Sequence, residues 1–505
     1  MKRKGFTLIE LLAVIVVLAI IALIAAPIIL GVIENSRKKS FEDTGYGVVE
    51  AIKNYYVRKL SENGVVGENV FLFPDSGLSL SGTEPAGGVA RLHADGSIEL
   101  AIHNNQYCVK KEVNQDTMTS SRYDEGNCKL ANETGVETLV QKEGEVTTVS
   151  GCTGSGVLSK VKHTSGDVDY RYQGSCPNNY VKFNGNQLWR IIGIFDGKIK
   201  LVGEPIGNYS WDTSKETVNR GLGVNEWSES DLMKLLNPGY ENNSDLKCNT
   251  NASYVSNNGD GYAIVNCGDN SDSNYTTQKV NNSLYWNAGS GLCYNYGNYG
   301  ATSCNFTSTG LRDNTSKNMI EDVTWYLGSN HKSDDLWGSN QIMTAEYLYN
   351  IERSNNSSKQ CSSNAYYCSD KVNRKLSWRG KVGLIYPSDY AYATNGGATT
   401  SKDVCLGKQI GYVSDSSTPN WSNTYTECKD NNWLLNKNMW TWSLSPRAHT
   451  SDSYYVFYVR TAGIVALYSA MNAGSVRPVV YLKSSVSITG GEGTQSSPFE
   501  LSISS

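Results

Sequence analysis

The chain lacks the residue spacings that mark the commonest enzymes. No two of its cysteines stand at CxxC spacing, which counts against a zinc ribbon or a thioredoxin-type redox site. Its five histidines, His93, His103, His163, His331 and His449, are scattered and form no HExxH pair, so the zinc-protease signal is missing and each reads as a surface residue. There is no GxSxG elbow to present a serine nucleophile, and no GxxxxGK loop followed by Ser or Thr to cradle phosphates. The expectation is a protein that is not an enzyme and that needs no cofactor or metal.

Charge is scarce as well. Charged residues make up 19% of the chain, and its 45 basic and 49 acidic residues leave a net charge of -4 without long single-sign blocks. No electrostatic footprint for nucleic acid is visible in that pattern. Tyr (32) and Gly (48) are plentiful, which suits a secreted, loop-rich β protein. A length of 505 residues exceeds what one hydrophobic core serves and points to two or three modules.

The twelve cysteines read as disulfides of an exported protein, with free buried thiols as the alternative. In chain order they pair as Cys108 with Cys128, Cys152 with Cys176, Cys248 with Cys267, Cys293 with Cys304, Cys361 with Cys368, and Cys405 with Cys428. That local pairing is one of roughly ten thousand that the count allows.

The N-terminus carries the most specific pattern. Met1 to Gly5 read MKRKG, and Leu11 to Ile33 form an apolar run of 23 residues without a charge. At about 1.5 Å per residue the run extends about 34 Å as a helix, enough to cross a bilayer. A secretory signal would have a shorter apolar region with its small residue at the far end, whereas here Gly5 comes first. Lys2, Arg3 and Lys4 hold the tip on the cytoplasmic side by the positive-inside rule. Glu10 is costly so close to an apolar span unless it finds a partner. Pro27 removes a backbone donor and predicts a kink or locally melted turn near Ala25 to Gly31.

The segment GFTLIELLAVIVVLAIIALIAAP resembles the class III signal of type IV prepilins and pseudopilins. The resemblance implies cleavage between Gly5 and Phe6 by a prepilin peptidase, N-methylation of the new terminus at Phe6, and retention of the helix in the membrane. It also implies that Glu10 neutralises the terminal amine of a neighbouring subunit during assembly. Pilins carry a proline at the place of Pro27.

Beyond the apolar run, Phe41, Val48, Ile52, Tyr55, Tyr56 and Leu60 recur at steps near three and four and predict an amphipathic stripe. Gly45 and Gly47 weaken helix there by about 1 kcal/mol each, so tertiary packing must hold it. Ser61-Glu62-Asn63-Gly64 supplies the stop. Next come VARLHA, a hairpin signal at Asp95-Gly96 and the alternating SIELAI, with Cys108 and Cys128 placed to close a loop after the last strand. A helix on such a sheet resembles the globular part of a compact pilin.

The expected fold is α+β: a long N-terminal helix packed on a small antiparallel sheet, then a β-rich, loop-rich domain. The boundaries are a leader at 1–5, the transmembrane and amphipathic helix at 6–62, a small sheet domain at 63–134, a hinge or linker with short strands, rich in Gly, Ser, Thr and charge, at 135–175, and a surface domain at 176–505. In the last, Asp196-Gly197 predicts a hairpin, SESDLMKLLN a helix with Ser228 as N-cap, and residues 242–308 a long-loop region. WRGKVGLIYPSDYAYA, NNWLLNKNMWTWSLSP and VRPVVYLKSSVSITGGEGTQSSPFEL together resemble an uncharacterised bacterial surface domain related to the C-type-lectin-like and formylglycine-generating-enzyme folds.

Asp260, Asp269 and Asp272 read as solvated turn residues before calcium ligands. Trp286-Asn287-Ala288 departs from the WND triplet of calcium-dependent lectins, and EPN and QPD are missing. Trp211, Trp227, Trp286, Trp337 and Trp421 sit in loop-like contexts, where core packing is favoured over ligand stacking.

The implied function is a minor or large-headed pilin that moves from the membrane into a surface filament. Its partners would be the prepilin peptidase, other pilins, the assembly machinery and a surface ligand, protein or glycan. The alternatives are a pseudopilin of a type II secretion or DNA-uptake machine and a surface enzyme anchored by a pilin-like helix.

Overall fold

A computed structural model of the chain describes residues 7–63, 68–113, 115–148, 152, 154–212, 223–237, 253–258, 262–266, 283–293, 302–328, 342–353, 375–411, 418–447 and 454–503. The chain divides into two compact units, Met1–Glu133 and Thr134–Ser505, and the architecture is α+β.

The first unit begins with α1 (Leu8–Asn63), which ends in the predicted Ser-Glu-Asn-Gly cluster. Its sheet is an antiparallel meander of β1 (Asn69–Phe73), β2 (Gly87–Leu92), β3 (Ile98–His103), β4 (Tyr107–Lys111) and β5 (Thr119–Arg122). Phe41, Val48, Val49 and Ile52 of α1 bury against Phe71, Leu100, Ile102 and Val109 of the sheet, with Tyr55 and Tyr56 at the margin. Each fully buried side chain of this size stabilises the unit by about 1.5–3 kcal/mol. Leu60, the last member of the predicted stripe, is 42% exposed and stands outside this cluster.

Gly45 has a packing reason. A Cβ there would lie 2.6 Å from Met118 Sδ and 2.9 Å from Val109 Cγ1, so the absent side chain lets α1 approach the sheet. Loss of helix propensity at this position is exchanged for close contact.

The second unit is built on an eight-stranded sheet. Its first pieces are α2 (Gly135–Val140), β6 (Thr147–Thr148), β7 (Ser155–Lys162) and β8 (Val168–Gly174). Residues 135–175 are therefore not a linker. β8 pairs with both β7 and the long strand β10 (Gln187–Phe195), near the middle of the sheet. The stretch looks polar because β8 buries Asp169, Arg171 and Gln173, each at 4% exposure or less, and pairs them internally. The unit boundary falls instead at Thr134, whose backbone N and Oγ1 both donate to Glu137, closing the first turn of α2.

β9 (Tyr180–Phe183) and β11 (Lys198–Val202) flank β10, and the β10–β11 hairpin turns at Asp196-Gly197. Both turn residues have positive φ, 48° and 67°, which is the requirement of a type I′ turn and the reason a Gly is needed second. Val479–Tyr481 pairs with β11, and Val382–Gly383 completes that edge.

A second, five-stranded sheet runs β12 (Asn208–Ser210), Ala473–Ser475, Thr441–Pro446, Tyr455–Val459 and Val465–Ser469. Short helices join these layers: α3 (Asp231–Leu236), α4 (Asn314–Met319), α5 (Ala345–Glu352), α6 (Pro387–Tyr392), α7 (Lys402–Leu406) and α8 (Thr426–Asp430). The N-cap of α3 is Ser230, whose Oγ accepts from Met233 N at 3.2 Å. Ser228, the predicted cap, lies two residues too early and donates to Glu226 instead.

Within the predicted long-loop region the chain forms two hairpins, Ser253–Asn258 with Tyr262–Asn266 and Ser290–Cys293 with Thr302–Asn305. Asp260, Asp269, Asp272 and Trp337 lie outside the described residues.

Candidate functional site

The first half of α1 presents its apolar side chains to its surroundings. From Leu8, 83% exposed, to Ile33, 42% exposed, no side chain reaches the core. A soluble surface does not sustain an apolar stretch of this extent, so lipid or partner helices must cover it. The structure has one helix, Leu8–Ser61, long and apolar enough to cross a membrane among the described residues.

The start of that helix is fixed by a reciprocal pair. Thr7 N donates to Glu10 Oε2 at 2.9 Å, and Glu10 N donates to Thr7 Oγ1 at 3.3 Å. Thr7 Oγ1 donates to the same carboxylate oxygen at 2.9 Å. This capping box satisfies backbone donors that a helix terminus leaves open, and it orients the carboxylate. Thr-x-x-Glu before an apolar run is legible in the sequence, yet Thr7 escapes a reading that looks only at charge. Further on, α1 passes Pro27 without interruption, so no melted turn is seen there.

Inside the second unit a network of charged groups is closed off from solvent. Arg171 on β8 donates from Nη2 to Asp169 Oδ2 at 2.7 Å, and from Nη1 to Asp389 Oδ1 on α6 at 3.5 Å. Lys200 on β11 reaches the other oxygen of Asp389 at 2.5 Å. Glu352 at the end of α5 accepts from Ser388 N at 2.8 Å and pairs with Arg353 at 3.3 Å. Burial pushes the Glu352 carboxyl up to about 7 despite those partners. Burial also opposes the Asp169 charge, but Arg171 and His163 outweigh it and hold that carboxyl below its ordinary range.

His163 is buried here and is not a surface residue: Nε2 lies 3.0 Å from Asp169 Oδ2 and Nδ1 2.8 Å from Glu346 Oε2. His93 and His103 are half-buried, while His331 and His449 lie outside the described residues. The network escapes sequence reading because its members come from strands and helices up to 218 positions apart, with no local spacing to betray them.

Residues 1–26 match the family model of the prokaryotic N-terminal methylation motif. The N-terminus is a type IV pilin-like prepilin segment. Among curated proteins and among solved structures, nothing matches the chain. The prepilin segment implies processing by a prepilin peptidase and assembly with other pilins, and with the apolar α1 it supports membrane anchoring before assembly. Gly5 and Phe6 lie outside the described residues, and Glu10 stands on the first turn of α1 next to them in sequence.

Outside the prepilin segment, the cysteines hold both units. Cys108 and Cys128 are joined, with Cα atoms 5.8 Å apart, tying β4 to the segment after β5. Cys152 and Cys176 are joined at 6.5 Å, and Cys405 and Cys428 at 5.5 Å, the last linking α7 to α8. Cys304 is disulfide-bonded, while the side chain of Cys293 and all of Cys248, Cys267, Cys361 and Cys368 lie outside the described residues.

The tryptophans in loop-like contexts, for which core packing is the favoured reading, divide. Trp211, Trp227 and Trp421 are fully buried, and Trp286 is half-buried beneath Lys381 and Lys317. A surface aromatic group appears elsewhere, on the five-stranded sheet. Trp440 lies 5.0 Å from Tyr458 and 5.3 Å from Tyr468 between ring centroids, and Tyr468 is 41% exposed.

Proposed function

We propose that the chain is a minor or tip pilin with a large recognition head. On this reading the peptidase cuts between Gly5 and Phe6, the apolar half of α1 exchanges lipid for sister helices in a surface filament, and Glu10 neutralises a neighbouring terminal amine. The observation that carries it is the pairing of a prepilin segment with a second compact unit spanning residues 134–505, far larger than the first. A body of that size on every subunit would crowd a filament shaft, which favours a sparse or terminal position.

The role is structural and adhesive, not catalytic. Supporting this, Asp169, Arg171, Lys200 and Asp389, which converge in the head, are engaged with one another and shut away from solvent. The Trp440, Tyr458 and Tyr468 face is the part of the head through which a glycan or protein ligand would be held, since exposed aromatic rings combine apolar area with polar edges. Labelling of the tagged chain on intact cells tests the reading. Sparse or terminal labelling of filaments supports it; dense labelling along the shaft, or none outside the envelope, removes it.

A further inference from the structure

Lys200 and Asp389 meet in the interior of the second unit, with Nζ and Oδ2 2.5 Å apart and side chains 0% and 1% exposed. Their positions are 189 residues apart in the chain, one on the central sheet and one on α6. Four aromatic rings surround the amine: Tyr386 at 4.5 Å, Phe195 at 5.0 Å, Tyr481 at 5.4 Å and Trp325 at 6.0 Å from Nζ. Asp389 is fixed as tightly, because its Oδ2 also accepts from Tyr386 N at 2.8 Å and its Oδ1 faces Arg171.

We propose that Lys200 and Asp389 condense into an intramolecular amide, a covalent cross-link between the central sheet and α6. The ammonium passes one proton to Oδ2 along their hydrogen bond, which leaves a neutral amine facing a carboxylic acid. Nζ then bonds to Cγ, the Cγ–Oδ2 bond breaks, and Oδ2 departs as water with a second proton from nitrogen. No oxidant, cofactor or outside reagent enters the balance.

The site supplies each requirement of that step. Burial among aromatic rings favours the neutral, nucleophilic form of a lysine, and here it pushes the Lys200 amine down to about 8. Fixed contact between the reacting groups replaces a chance encounter. Arg171 Nη1 lies against Oδ1, where negative charge develops. Condensation also removes two charges from a dry interior, where each is costly, and Arg171 keeps Asp169 as its partner afterwards.

The test is a peptide map of the full chain, purified from membranes in detergent, denatured, reduced, alkylated and digested with trypsin. A branched peptide carrying both Lys200 and Asp389, one water lighter than the sum of its arms, is the expected result. K200M should abolish it, whereas D389N, which keeps Lys200, should still give the same branched product by releasing ammonia in place of water. Recovery of only linear peptides, with trypsin cleaving after Lys200, reduces the pair to an ordinary ion pair and overturns the proposal. An Asp389 peptide that has lost water without gaining Lys200 overturns it equally. The wild-type map decides the matter even where a variant fails to fold.

Discussion

Glu346 and His163 are joined across 183 positions of the chain by a 2.8 Å contact between Oε2 and Nδ1. The same carboxylate accepts from Thr164 N and Oγ1 at 2.8 and 2.7 Å and from the Tyr392 hydroxyl at 2.7 Å. Burial alone would raise the acid, but these donors prevail and hold it down from 4.5 to about 2. A carboxyl depressed in the folded state stabilises fully above its unfolded pKa and loses that contribution as pH falls toward the folded value. The second unit should therefore lose stability between about pH 4.5 and pH 2. E346Q should flatten that slope and cost about 1–3 kcal/mol at neutral pH, where it gives up charge-assisted hydrogen bonds. Tryptophan-detected unfolding across the pH range measures both, and parallel curves for the two proteins would contradict the assignment.

The disulfide between Cys405 and Cys428 ties two helices of five residues each, too short to persist alone. Both cysteines are fully buried. Replacing the pair with serines should cost about 2–5 kcal/mol, read as a lower unfolding temperature without reductant. An unaltered temperature would mean that packing around α7 and α8 suffices without the bond.

Gly45 offers a test of the helix–sheet contact in the first unit. In an exposed helix, replacing Gly would stabilise by up to about 1 kcal/mol. Here G45V must displace Met118 and Val109 and should instead destabilise by about 1–3 kcal/mol. Met118 is flexible enough to move, while the β-branched Val109 is held in β4, so the loss should outweigh the gain. Thermal unfolding of the full chain in detergent gives the sign directly.

How much of this was legible in the sequence depends on whether the stabilising partners are local. α1, its stop and the Asp95-Gly96 and Asp196-Gly197 hairpins are written in short spacings, and each stands where those spacings place it. β8 is hidden in the sequence because Asp169, Arg171 and Gln173 look like solvent-facing residues until their distant partners are known. The same blindness put His163 on the surface and hid Lys200 behind Asp389. Ser228 competed with Ser230 for one cap two residues apart, a distinction that only backbone geometry resolves.

Processing is the direct test at the other end of the chain. G5F should leave the basic tip attached, because the peptidase that a prepilin segment implies acts after a small residue at that place. The uncut chain would then run as a larger species in membrane fractions. Normal trimming of G5F would show that Gly5 does not mark the cut.

Thr7 and Glu10 allow capping to be separated from assembly. If the carboxylate serves only to start α1, T7A and E10A should be equally harmful, since each breaks the same box. A lost cap costs about 1 kcal/mol, which a membrane-inserted helix of this length tolerates. T7A should accordingly enter filaments. E10A should insert in the membrane but fail to assemble, because it alone removes the charge that a neighbouring amine would meet. Fractionation of cells into membrane and sheared-filament pools, probed for the tagged chain, separates the outcomes. Incorporation of E10A at the wild-type level would leave Glu10 as a cap and nothing more.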